Sequence, residues 1–176
     1  MDTGKVVRAS SVQVVGWRVW TVQDRPEGVR LGSVIHEAVW VPGVPALATC
    51  SLDLPHAAPG AGCTCGFHAA RDPVDAFSYL HGRNEPRIVG RILGEVLLLG
   101  RVLETERGWR ASESYPVRLY VRDPELEAAL ASYAVPVLSG AWGCATATSS
   151  KMDSAGSQTS SLSAALMRSS GTAASG

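Results

Sequence analysis

The stretch PRIVGRILGEVLLLGRVLETERGWRASESYPVRLYV, from Pro86 to Val121, limits what this chain can become. It is dense in Val, Leu, Ile and Tyr, residue types that suit a pleated, half-buried surface. Glu106-Arg107-Gly108 reads as a three-residue hairpin loop inside it, with Gly108 in the left-handed position. Two more β signals precede it: VQVVGWRVWTV (Val12–Val22), in partial alternation, and GVRLGSVIHEAVWV (Gly28–Val41), long enough for one or two strands. GRIL at Gly90–Leu93 is echoed by GRVL at Gly100–Leu103, and GWR at Gly16–Arg18 by GWR at Gly108–Arg110. The echoes fit strands that bend at glycine, as small barrels require. Two helices break the β pattern. Asp72–Gly82 has Asp72 as N-cap, Pro73 in the first turn and Gly82 at the end; Asp123–Val135 starts on the same Asp-Pro pair, with Glu125 and Glu127 near its positive end. The fold class is therefore α+β: a curved, mostly antiparallel sheet or partial barrel, two short helices, a Cys/His-rich loop and a disordered C-terminal tail.

Composition sets the boundaries. From Ser139 the chain is mostly Ala, Ser, Gly and Thr, with only Lys151, Asp153 and Arg168 charged and Trp142 as its single aromatic residue. Such a segment buries too little to offset its conformational entropy. Residues 139–176 read as a disordered tail, 1–10 as a flexible arm and 11–138 as the folded domain. The formal net charge is zero, which argues against a protein that coats nucleic acid or anionic lipid through bulk charge. No apolar run is long enough to span a membrane and no signal peptide is visible, so the cytoplasm is the expected compartment.

The most chemically loaded segment is residues 48–70, ATCSLDLPHAAPGAGCTCGFHAA, with Cys50, His56, Cys63, Cys65 and His68 in one Pro/Gly-rich loop. In a reducing compartment clustered cysteines point to a metal or to thiol chemistry before a disulfide. The preferred ligand set is Cys50, His56, Cys63 and Cys65, with His68 in reserve. Three thiolates and an imidazole suit a structural zinc ion, which would staple an irregular loop to a small sheet. An iron–sulfur centre, a reactive Cys63/Cys65 pair and plain burial of small hydrophobic thiols are the other readings. Asp53 is a candidate to orient a ligand histidine, and Cys144 reads as a thiol without a role.

CTCGFHAA with HAAP before it, GRVLETERGWRA after it and the Tyr115-Pro116 pair together resemble a pattern in small uncharacterised bacterial proteins, chiefly of high-GC Gram-positives. In these, C-x-C-G-[IF]-[YH]-A is paired with a downstream GWRA. The resemblance spans roughly Trp40 to Pro116; it implies that the loop and the GWRA hairpin form one unit, and it implies no activity.

Outside the loop, Trp17, Arg18, Arg101, Trp109 and Arg110 are the candidate partner-binding residues, since indole and guanidinium groups can stack on bases and pair with phosphates. Core packing is the plainer reading of the tryptophans. Arg91, Arg101, Arg110 and Arg118 make a nucleic-acid surface only if they share a face, and are ordinary surface charge if they interleave with Glu95, Glu104 and Glu113. His36, beside Glu37, reads as a solvated strand residue before a general acid or base, and His81 as a helix-end residue. No phosphate-binding glycine loop, nucleophile elbow or H-E-x-x-H motif is present. The functional expectation is a small zinc-stabilised module that binds a protein or nucleic-acid partner. The alternative is a metal- or thiol-dependent enzyme that uses the loop.

Overall fold

The computed structural model describes residues 5–7, 13–52, 54–82 and 85–139. Its elements in chain order are β1 (Lys5–Val7), β2 (Val14–Gln23), β3 (Arg30–Gly32), β4 (Val39–Trp40), β5 (Ala46–Leu47), β6 (Phe67–Ala70), α1 (Pro73–Ala76), β7 (Ile88–Thr105), β8 (Gly108–Val121), α2 (Pro124–Leu130) and β9 (Val137–Ser139). Single 3-10 turns, Phe77–Leu80 and Ala131–Tyr133, extend the two helices.

The long β stretch forms the hairpin β7–β8, the spine of the sheet. Its turn differs from the expected one. Glu106 and Arg107 alone make the turn, and Gly108 is already in β8 with its backbone outside the left-handed region. Gly108 is demanded by crowding: a Cβ there would stand 1.9 Å from the carbonyl oxygen of Ala69 on β6. Farther along, β7 is interrupted by a bulge between Leu99 and Val102, where Gly100 takes φ of 67°.

β2 pairs along the other side of β7, from Val14↔Leu98 to Gln23↔Ile88, and β3 and β4 extend the sheet beyond it. β6 pairs with β8 over Phe67–Ala70 and touches β2 through Trp17↔Ala70. The circuit β7–β8–β6–β2–β7 is thus a ring of strands, closed on one side by a single residue pair, and not a true barrel. β5 and β9 also lie on β8. Only the β8–β9 pairing is parallel among the described strands. Within the segment expected as a flexible arm, Lys5–Val7 adds a strand to β7, and Ser139, expected in the tail, ends β9. The rest of the expected tail, residues 140–176 with Cys144, lies outside the described residues, as does Asp53.

Both helices start where Asp-Pro predicts. Asp72 Oδ1 accepts from the Val74 amide at 2.8 Å and Asp123 Oδ1 from the Glu125 amide at 2.9 Å. Residues 33–38, part of an expected strand, form the β3–β4 turn, closed by Ser33 N–H donating to the Ala38 carbonyl at 2.8 Å. His36 is exposed there, so its place is a turn and not a strand face.

Alternate residues of β2 serve two apolar clusters. Trp20 and Val22 join the larger one, and Val19 joins Ala76 of α1 and Leu93 in the smaller. Trp20 and Trp40 are fully buried and meet edge to face at 6.1 Å. Tyr133 ties the larger cluster together. Its hydroxyl donates to the Trp40 carbonyl at 2.7 Å and accepts from the Leu31 amide at 2.8 Å. No helix among the described residues is long and apolar enough to cross a membrane.

Candidate metal centre

The loop that joins β5 to β6 leaves the sheet at Ala48, whose amide donates to the Ser112 carbonyl of β8 at 2.7 Å. It returns at Cys65, just before β6. Between these points the donor atoms of Cys50, His56, Cys63 and Cys65 all lie within 4.8 Å of one another, close enough to hold a metal ion. Cys50 Sγ stands 3.8 Å from Cys63 Sγ, and His56 Nε2 stands 3.3 Å from Cys65 Sγ. A disulfide needs sulfurs about 2.05 Å apart, and the three thiols are free.

Local sequence explains how the donors meet. Gly66 holds φ of 110°, which turns the chain from Cys65 into β6. Gly60 lets the His56 ring lie close against the backbone, since a Cβ there would meet His56 Nε2 at 2.6 Å. Its amide donates to Cys65 Sγ at 3.2 Å, and its carbonyl accepts from the Cys63 amide at 3.2 Å. The two neighbouring thiols are pushed apart in acidity. The backbone N–H of Cys65 draws the Cys63 thiol below its ordinary value, while burial raises that of Cys65. A thiolate is thus favoured first at Cys63.

Arg110 corrects the sequence reading. Expected on a partner surface, it is only 4 % exposed and turned into the loop. Its guanidinium donates to the carbonyls of Gly60 at 3.4 Å, Cys65 at 3.2 Å and Cys63. It therefore supplies partners for loop carbonyls that no strand satisfies. Nothing local announces this role: it follows from the pairing of β6 with β8, which sets Arg110 opposite His68.

His68, the reserve ligand, stays outside the cluster. Phe67 and Ala69 turn to the core, and the strand alternation sends His68 to the other face. Its Nε2 is 2.8 Å from the Thr64 carbonyl oxygen. Burial lowers its imidazole pKa, and the nearby Arg18 and Arg110 add to the effect, against the Thr64 hydrogen bond that raises it.

The remaining expected partner residues scatter. Trp17 stacks on Tyr120 at 5.8 Å, and Trp109 lies 4.5 Å beneath the Arg71 guanidinium. Arg101 is exposed at the β7 bulge, where its amide donates to Ser112 Oγ at 2.9 Å. Arg118 pairs with Glu95 at 2.8 Å, and Arg91 donates to the Tyr79 carbonyl at 3.2 Å. The hairpin arginines thus serve separate local contacts. Arg18 points to the core side of β2, against Trp40 and Phe67.

No family model, curated protein or solved structure matches the chain.

Proposed function

We propose that this chain is a zinc-stabilised binding module, whose Cys/His loop is a structural staple and not a reaction centre. The observation that carries the reading is the four-donor cluster of Cys50, His56, Cys63 and Cys65. Zinc–sulfur bonds of about 2.3 Å in a tetrahedron put two sulfurs about 3.8 Å apart, and a sulfur and an imidazole nitrogen about 3.5 Å apart. The Cys50–Cys63 and His56–Cys65 separations, 3.8 Å and 3.3 Å, are close to those edges. Four protein donors fill a tetrahedron, whereas a catalytic zinc keeps one position for water or substrate. A loop with little regular structure is the kind of segment a metal orders, since binding free energy becomes folding free energy. The dispersal of Arg101, Arg110 and Arg118 gives no support to a nucleic-acid surface along the hairpin, and recognition is better sought in the cavity beside the loop.

The test is elemental mass spectrometry of the purified full-length protein beside its Cys63→Ser variant. One zinc per chain is expected, with zinc and thermal stability both lost in the variant. Iron in place of zinc overturns the metal assignment; a metal-free protein with an intact fold overturns the staple.

A further inference from the structure

A cavity of about 1120 Å³ lies between β2, the β3–β4 turn, both ends of the metal loop, β6 and α1. Its size matches that of small-molecule sites, which run to about 1,000 Å³. Arg18 of β2 lines it, in an unusual setting. The guanidinium lies 4.9 Å from the Trp40 ring and 5.9 Å from that of Phe67. One terminal nitrogen donates to the His68 carbonyl at 2.7 Å and the other to Ser33 Oγ at 3.3 Å, while Nε is closed to solvent and has no partner. None of the ion pairs among the described residues includes Arg18. Burial pushes its pKa down to about 10, with Tyr79 acting in the opposite direction, so it remains a cation at neutral pH.

Arg18 is half-buried, and a cation drawn even partly from water without a counter-ion is costly; folded chains normally pair it. Here the pairing group is absent from the described protein residues. Other cavity groups do not supply it. His36 and His68 line the same space and are acceptors or cations, not counter-ions. Of the two carboxylates on the wall, Asp75 faces Arg107 at 4.0 Å and Glu37 sits on the exposed β3–β4 turn. Much of the remaining wall is apolar, with Trp17, Trp109, Ile35 and Leu47 among its residues. Each terminal nitrogen of Arg18 keeps a second N–H, and a planar fork of donors suits a carboxylate or a phosphate.

The geometry points to a binding site for a small organic anion, with a carboxylate or phosphate end paired with Arg18 and an apolar body along Trp17 and Trp109. This deepens the binding-module reading and rests on it in one respect. Ala48, Thr49, Thr64 and Gly66, which flank the metal-loop cysteines, form part of the wall, so the metal staple shapes the cavity.

The experiment is calorimetric titration of the full-length, metal-assayed protein with 2-naphthoate, 2-naphthyl phosphate and the uncharged 2-naphthylmethanol. One anion is expected to bind at least about tenfold more tightly than the alcohol, and the tighter anion tells carboxylate from phosphate. Arg18→Gln should erase the preference, and Arg18→Lys should keep it at lower affinity. Equal binding of alcohol and anions, or no binding of either anion, overturns the site. If Arg18→Gln does not fold, the wild-type preference and Arg18→Lys still decide. Anion binding by protein without zinc overturns the staple alone; zinc without anion binding overturns this site alone.

Discussion

The β5–β6 loop and the aromatic centre around Tyr133 sit a few strands apart and are ordered by different means. In the centre, Trp20, Trp40 and Tyr133 are almost completely enclosed; hydrogen bonds to Leu31, Trp40 and Ser114 satisfy the Tyr133 hydroxyl and the Trp40 indole, while the buried Trp20 Nε1 has no partner among the described residues. The loop keeps apolar side chains in solvent: Leu52 is 64 % exposed and Leu54 45 %. What gathers it instead is three sulfurs and an imidazole converging on one another, with one guanidinium on backbone carbonyls. Burial alone can hold the first region. The second depends on donor chemistry, so each should fail under different perturbations.

Trp40→Ala should have the largest effect on global stability, about 3–5 kcal/mol, from the lost transfer energy and the cavity left behind. Chemical denaturation should show this loss, with metal content unchanged; loss of metal as well would erase the distinction between the two regions. Arg110→Met should act on the loop. It takes the guanidinium from the carbonyls of Cys63 and Cys65, and from that of Gly60, which keeps the Cys63 amide, and should weaken metal affinity by about 10–100-fold, measured by competition with a chelator. An unchanged affinity would mean that the donors alone shape the loop. Tyr133→Phe is the finest probe: it removes one acceptor and one donor from the aromatic centre. The expected cost is about 1–2 kcal/mol, mainly from the unpaired Leu31 amide, with chelator competition unaltered.

The donor set was legible because Cys50, His56, Cys63 and Cys65 are close in sequence and their side-chain chemistry is specific. Both helix starts were legible for a similar reason, since Asp-Pro satisfies the first turn locally. The long hairpin was legible in Pro86–Val121, but the role of Gly108 was not, because the Ala69 carbonyl that crowds it belongs to β6. The same limit applies to Arg110 and Arg18. A guanidinium in a strand gives no sign of whether it meets solvent, loop carbonyls or an aromatic wall. That depends on pairings across distant segments, such as Ala70 with Trp17 and His68 with Arg110. β4 and β5, with two residues each, are too short to produce a period.

The position of Arg110 also sets the charge balance of the loop. In the zinc-loaded form that we propose, three thiolates around a dication leave one net negative charge, and the enclosed guanidinium offsets it, so that the junction between loop and β8 is close to electroneutral. Emptied of metal and reprotonated, the same junction would hold a lone cation without a counter-charge. Metal capture would then do more than tether a loop: it would turn the least comfortable charge on β8 into half of a balanced pair.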